Sequence, residues 1–356
     1  MSDTISTSQT ASPLVKQRDY WFDNAKAILI IAVVIGHLTN GLFSTSTDWI
    51  ISLKKFIFIF HMPVFMIISG RFAKRRIDKG DWITVTNKLL VPYLLLQTIT
   101  LLFYLITDYK KIEDFSYFEP LFSLWYYFCL TIYSYISPYL VKFKFLFPVS
   151  LIIALTIGFI PKSLYGCFYR VISYYPFFLF GYYTYNMKIN FCKKIWFRII
   201  SVAVFIITLL FMLKYSSEVS YKLLCINSKF STIADDMNIS LIETFLQNIV
   251  RFALGFLFFF FVLGIAPSKK TFFSYIGTNS IYVYSLHIFL IVALRSIDAD
   301  YDILRVLTND WLLLAYCLSG IPISFILASK PVRKLTHFIV EPNFDLKKLA
   351  KKILEA

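Results

Sequence analysis

Lys26 stands eleven positions before His37 in the apolar run KAILIIAVVIGH, and a second apolar run, FIFHMPVFMIISGR, carries His61. Hydrocarbon disfavours charged and titratable side chains, so such residues inside a spanning helix mark a site by default. At about 1.5 Å per residue the eleven steps cover roughly 16 Å. Lys26 is therefore expected at one mouth of the first helix, with His37 well inside it. Counted inward from Phe43, Phe56 and Leu294, the expected outer helix ends, His37, His61 and His287 lie roughly 8 to 11 Å deep. Three of the four histidines share a level, while His337 lies beyond the last apolar stretch. A single such histidine is well explained by an interhelical hydrogen bond to a hydroxyl or a backbone carbonyl. Three at one depth point to a site. A neutral imidazole there can take a proton from an attacking hydroxyl or itself accept an acyl group. The competing chemistry is a proton relay.

These residues need a membrane around them. With 58% hydrophobic and 16% charged residues over 356 positions, the chain is too apolar for a soluble domain, where about half is usual. A spanning helix takes roughly 20 predominantly apolar residues. Ten stretches qualify: 27–43, 56–72, 89–106, 121–139, 145–160, 171–185, 195–213, 245–266, 272–294 and 311–329. The expected fold is all-α, a polytopic integral-membrane bundle of about ten transmembrane helices. The net charge of +15 is unevenly placed along it. With the N-terminus in the cytoplasm, the inner segments carry 24 of the 36 Lys and Arg. The outer ones carry the other 12 together with 13 of the 21 acidic residues. This positive-inside bias argues against nucleic acid as a partner and puts both termini in the cytoplasm. Basic inner loops also suit anionic lipids or a phosphorylated substrate.

The chain divides into a Ser/Thr-rich mobile tail at 1–18, one membrane domain at 19–340 and an amphipathic cytoplasmic tail at 341–356. In that last tail Leu346, Leu349, Ile353 and Leu354 share a face. No small-residue cleavage site follows the first apolar stretch, which is expected to stay as an anchor. Segment 214–243 is long enough to be either functional or a plain connector. Five scattered cysteines, with no C-x-x-C pair and no Cys/His cluster, predict neither a disulfide framework nor a metal site. No transporter-type repeat and no glycine-rich phosphate loop is visible. Pro63 removes a backbone donor and frees the Ile59 carbonyl, which predicts a bend beside His61; the plain alternative is that prolines are common in membrane helices. At the other end of the same stretch, Ser69-Gly70 precede Arg71, Lys74, Arg75 and Arg76. Cations beside small residues would hold phosphates such as those of coenzyme A. The alternative is an ordinary positive-inside anchor.

Asp23-Asn24-Ala25-Lys26, His37 in VVIGH and FHMPVFMIISG at 60–70 resemble acyltransferase family 3, the integral-membrane acyltransferases that O-acetylate surface glycans. FFLFGYY at 177–183 and IGTNSIYVYSLH at 276–287 are similar to that family's later signatures, in the same order. The resemblance spans about residues 18–340 and looks closest to the fucose 4-O-acetylase and capsular or exopolysaccharide O-acetyltransferase branch. It implies a catalytic group of His37, Lys26, His61 and Asp23. It implies a donor-binding group of Lys26, Ser69, Arg71, Lys74, Arg75 and Arg76, with His287, Asn279 and Ser280 on the acceptor side or supporting. The family's Arg-x-x-Arg is only approximated, since position 74 is Lys. The resemblance further implies acetyl-CoA as acyl donor, no metal, and a multi-pass protein in the plasma membrane of a bacterium. With no fused extracytoplasmic transferase domain after the last span, the membrane part is expected to finish the transfer or pass the acyl group to a separate protein.

The leading expectation is thus an O-acetyltransferase that moves acetyl from cytoplasmic acetyl-CoA to a surface or lipid-linked polysaccharide. His37 would serve as general base or acyl carrier. The alternative is a glycan-precursor transporter or flippase with a histidine proton relay, and a purely structural subunit would leave Lys26 and His37 replaceable. The expected partners are the glycan and membrane lipids; homo-oligomerisation is left open.

Overall fold

The structure is a computed structural model and describes residues 19–39, 47–106, 115–160, 167–226, 228–301 and 309–344. The tail expected at 1–18 and the amphipathic run from 345 onward lie outside the described residues.

Among the described residues every regular element is helical. They are α1 (Tyr20–Leu38), α2 (Asp48–Lys79), α3 (Trp82–Val85), α4 (Val91–Ile106), α5 (Trp125–Leu140), α6 (Leu146–Thr156), α7 (Phe168–Tyr183) and α8 (Ile195–Tyr215). There follow α9 (Tyr221–Cys225), α10 (Phe230–Met237), α11 (Leu241–Ile265), α12 (Ser274–Thr278), α13 (Ser280–Tyr301), α14 (Asp310–Leu318), α15 (Gly320–Ala328) and α16 (Lys330–Val340). Each of the ten apolar stretches falls on one or more of these helices. Six described segments are long and apolar enough to cross a membrane: Tyr20–Leu38, Asp48–Lys79, Trp82–Ile106, Ile195–Glu218, Leu241–Ile265 and Asp310–Ala328. Leu146–Phe159 and Ser280–Leu294 are apolar but shorter. Along α8, Ile195, Ile199, Ile206, Ile207 and Leu210 all point outward. In water that face would be a large exposed apolar patch; in a bilayer it is the ordinary lipid-facing side.

Local chemistry sets where several helices begin. Asp19 caps α1 by accepting from the Trp21 amide at 3.1 Å. Ser240 and Glu243 form a reciprocal capping box at the start of α11. Asn309 caps α14 by accepting from the Leu312 amide at 2.9 Å. Pro92 cannot supply the amide that would close onto the Lys88 carbonyl, and the five residues Thr86–Leu90 between α3 and α4 relax into a π-helical turn. Pro63 has a milder effect, because α2 stays helical through it.

α2 and α7 cross at very short range. A Cβ placed on Gly181 would lie 1.8 Å from the Ile67 carbonyl oxygen, so only a residue without one fits there. Replacing Gly181 with leucine forces two backbones apart, and overpacking of this kind costs about 1–3 kcal/mol or more. A lower thermal midpoint and loss of the monodisperse species in detergent are the expected results.

Segment 214–243, which has no readable period in the sequence, folds into a 3-10 turn, α9 and α10. Leu223, Phe230 and Ile233 are buried against Met237 and Phe245, and the Lys222 ammonium meets the Asp236 carboxylate at 2.5 Å. Both helices are too short for periodicity to announce them. Their apolar contacts fold the segment down onto the bundle, where Tyr221 and Cys225 reach the site described next.

Candidate active site

Two cavities lie along the inner faces of α1 and α2. The first, of about 260 Å³, is lined by Lys26, Ser69, Arg76, Tyr126 and Ser280 among apolar side chains. The second, of about 330 Å³, is lined by His37, His61, Ser123, Trp125, Arg170 and Tyr174, with Phe58, Phe122 and Tyr221. Met62 and Tyr284 line both. A lysine chamber and a histidine chamber thus adjoin and share these two side chains in their linings.

Lys26 is placed by the first turn of α1. Its ammonium meets the buried Asp23 carboxylate at 2.8 Å. The neighbouring Asn24 uses its whole amide: Nδ2 donates to the Pro267 and Lys269 carbonyls at 2.7 and 2.9 Å. Its Oδ1 accepts from the Thr271 and Ser274 hydroxyls, both at 2.7 Å. A buried amide with all its bonds made fixes both position and rotation of the helix that carries it. α12 packs on the same turn, and a Cβ on Gly277 would fall 1.6 Å from the Asp23 carbonyl oxygen. The glycine in IGTNS therefore has a steric reason, and it keeps Asp23 and Lys26 at the chamber.

On α2, the Ser69 hydroxyl shares a 2.5 Å hydrogen bond with the Tyr126 hydroxyl. Arg76 reaches Ser134 at 3.4 Å, and its buried Nε has no partner among the described residues. The other three cations of the cluster are engaged away from the chamber. Arg71 donates to the Thr184 carbonyl and lies against Phe22 and Tyr185. Lys74 pairs with Asp78 at 3.0 Å and sits over Tyr182, while Arg75 faces Tyr185.

The histidine chamber is lined by side chains of α1, α2, α5, α7, α9 and α13, with Phe122 and Ser123 between elements. His61 on α2 has Nδ1 2.7 Å from the Ile57 carbonyl oxygen. A carbonyl only accepts, so Nδ1 carries the proton and Nε2 keeps its lone pair. His287 on α13 is fully buried and follows the same logic, with Nδ1 donating toward the Tyr284 carbonyl at 2.7 Å. Its Nε2 has no partner among the described residues. The rings of His37 and His287 lie 5.1 Å apart between centroids, tilted by 43°. His37 also packs against Phe122 at 5.6 Å, and His61 meets Phe58 edge-on at 4.8 Å. Tyr284 is held in the shared lining by a hydrogen bond from its hydroxyl to the Ser123 carbonyl.

The structure therefore gathers Lys26, Ser69, Arg76 and Ser280 around one chamber, with Asp23 paired to Lys26, and His37 and His61 around the other, with His287 against the His37 ring but outside the lining. Arg71, Lys74 and Arg75 are not brought to either. Asn279 is buried and donates to the Tyr275 carbonyl at 2.8 Å, without lining a cavity. His337, outside the chambers, is hydrogen-bonded to Tyr282 at 2.8 Å. Trp125, Arg170, Tyr174 and Tyr221 complete the histidine chamber and no motif singles them out, whereas Met62 and Tyr284 fall inside the runs at 60–70 and 276–287. Arg170, a charge opening the apolar stretch 171–185, was the one legible signal among them.

A family model described as an acyltransferase domain, that of acyltransferase family 3, matches residues 19–329. The chain belongs to acyltransferase family 3. Both chambers lie within the part that the family model matches. The chain is similar to Nodulation protein NolL of Sinorhizobium fredii (strain NGR234), 41% identical over 83 residues, which is 22% of this chain and 23% of that protein. Nodulation protein NolL of Mesorhizobium japonicum is 53% identical over 55 residues, 15% of each chain. The chain thus spans less than a quarter of the length of these curated relatives. No solved structure matches it significantly.

Proposed function

We propose that this acyltransferase moves an acetyl group from cytoplasmic acetyl-CoA to a hydroxyl of a surface or lipid-linked polysaccharide, within a bacterial plasma membrane that it crosses about ten times. Both termini would lie in the cytoplasm, as the distribution of Lys and Arg suggests. The observation that carries the reading is the pair of adjoining chambers that share Met62 and Tyr284 in their linings. Lys26 and Arg76 give the first a cationic mouth with an apolar interior, which suits a thioester at the end of a pantetheine arm whose phosphates stay outside. The second offers imidazoles in a water-poor setting.

In the reaction as proposed, the acceptor O–H gives its proton to His37 and the oxygen attacks the thioester carbonyl carbon. The C–O bond forms, the C–S bond breaks, and the departing thiolate takes up a proton as coenzyme A. In the carrier variant, an imidazole nitrogen forms the bond to the carbonyl first and yields the acetyl group to the acceptor afterwards. His287 would hold the His37 ring in place, and His61 would bind the acceptor from the opposite wall. The branch of fucose 4-O-acetylases and capsular or exopolysaccharide O-acetyltransferases supplies the proposed substrate class.

The donor side of this reading is tested by contrasting two neighbouring arginines. Arg76→Ala is expected to raise the KM for acetyl-CoA about tenfold, the scale of a lost charge-assisted hydrogen bond. The increase should be larger at low than at high salt, because salt screens charge. Arg75→Ala, which removes a side chain turned away from the chamber, should leave that KM near wild type. Equal effects in the two variants would remove Arg76 from the donor site.

A further inference from the structure

We infer that the histidine chamber selects an anionic sugar acceptor, whose negative group is held by the Arg170 fork; the inference rests on the transferase reading above. The lining of this chamber contains Arg170 and no Asp or Glu. Arg170 spends only Nε, which donates to the Cys225 carbonyl at 3.3 Å, and its two terminal nitrogens have no partner among the described residues. No carboxylate among the described residues pairs with it. The guanidinium lies over the Trp125 ring, 5.1 Å from the centroid, and that ring stacks in turn on Tyr174 at 4.9 Å. A guanidinium clamped by an aromatic face and by a carbonyl at Nε presents a pre-organised two-pronged donor, the geometry that matches a carboxylate or phosphate.

The surroundings have the same sign. Arg251, within electrostatic reach of Tyr174, is buried, with Nε and one terminal nitrogen both on the Asn248 Oδ1 at 3.0 and 2.9 Å. Positive charge in a poorly solvated wall is costly unless an anion answers it. The volume, about 330 Å³, falls at the lower end of small-molecule sites. It leaves room for a sugar unit beside His37. The negative group has two sources of the same chemistry: the carboxylate of an acidic sugar, or the phosphate that joins a sugar to a lipid carrier.

The test is equilibrium binding to the full chain in lipid nanodiscs, using three probes: a trigalacturonate, its carboxyl-reduced neutral counterpart, and a polyprenyl diphosphate. Wild type is expected to bind one of the two anionic probes about tenfold more tightly than the neutral trisaccharide, and the probe that gains identifies the source. Arg170→Gln should erase that advantage, while Arg170→Lys, which keeps the charge but not the fork, should retain part of it. Monodisperse elution of both variants reports that they fold. Equal binding of all three probes by wild type, or an undiminished advantage in Arg170→Gln, would overturn the inference. Arg170-dependent anion binding in a protein that transfers no acetyl group would support this site and overturn the transferase reading alone.

Discussion

His37→Ala is expected to lower acetyl transfer by about 10²–10⁴-fold, the usual weight of a positioned general acid–base, while leaving the affinity for acetyl-CoA close to wild type. The split follows from the two-chamber geometry: His37 lines one cavity, and Lys26 and Arg76 line the other. A variant that merely misfolded would lose both properties together, so the donor affinity serves as the internal control. Incubating wild type with acetyl-labelled donor and no acceptor separates the two histidine roles. Label retained on His37 would assign the carrier route, and its absence during fast transfer would assign direct attack. Unchanged turnover in His37→Ala would remove that residue from the chemistry.

Met62→Trp is expected to cut transfer by at least about 10²-fold, the scale on which a misplacement of about 1 Å is felt. Met62 is buried and lines both chambers, as does Tyr284, so in the proposed reaction an indole there would stand between the acyl group and the acceptor. Overpacking a tight site costs about 1–3 kcal/mol in stability, whereas Met62→Leu conserves volume and should cost less than about 1.5 kcal/mol. The leucine variant is therefore expected to transfer acetyl at a rate near wild type. Rates measured in reconstituted membranes for both variants, alongside their thermal midpoints, decide the matter. Full activity in Met62→Trp would mean that the two chambers are not joined in the reaction.

Much of the architecture was legible because long apolar runs leave few choices of structure. In hydrocarbon the backbone must satisfy its own hydrogen bonds, so helices follow from composition alone. Depth could be read the same way. His37 and His287 lie 250 positions apart in the chain, yet counting inward from the expected helix ends set them at one level, and their rings stand 5.1 Å apart.

Rotation about the helix axis was harder to see. A helix that is apolar on every side has no polar stripe to announce which face looks inward. The basic cluster shows the consequence. Arg71 and Arg75 are four residues apart, on one helical face, and both sit against Tyr185. Arg76, turned about 100° further, reaches the chamber. That spacing was in the sequence, but its phase relative to α7 was not, because the close crossing at Gly181 sets it. Tyr221 and Cys225 were hidden for another reason: they come from a segment whose folding depends on burying Leu223, Phe230 and Ile233. Arg170 was visible as a charge beside an apolar run, and only its contacts with Trp125 and Cys225 give it a direction.

The account stands or falls on whether a histidine within the membrane domain is needed to acetylate a glycan. The most direct measurement is the O-acetyl content of surface polysaccharide in cells lacking this gene, complemented at equal protein level with wild type or with His37→Ala. The account predicts that wild type alone restores the acetyl groups. Equal restoration by both would contradict the role of His37, and polysaccharide acetylation that is the same with and without the gene would contradict the assigned acceptor.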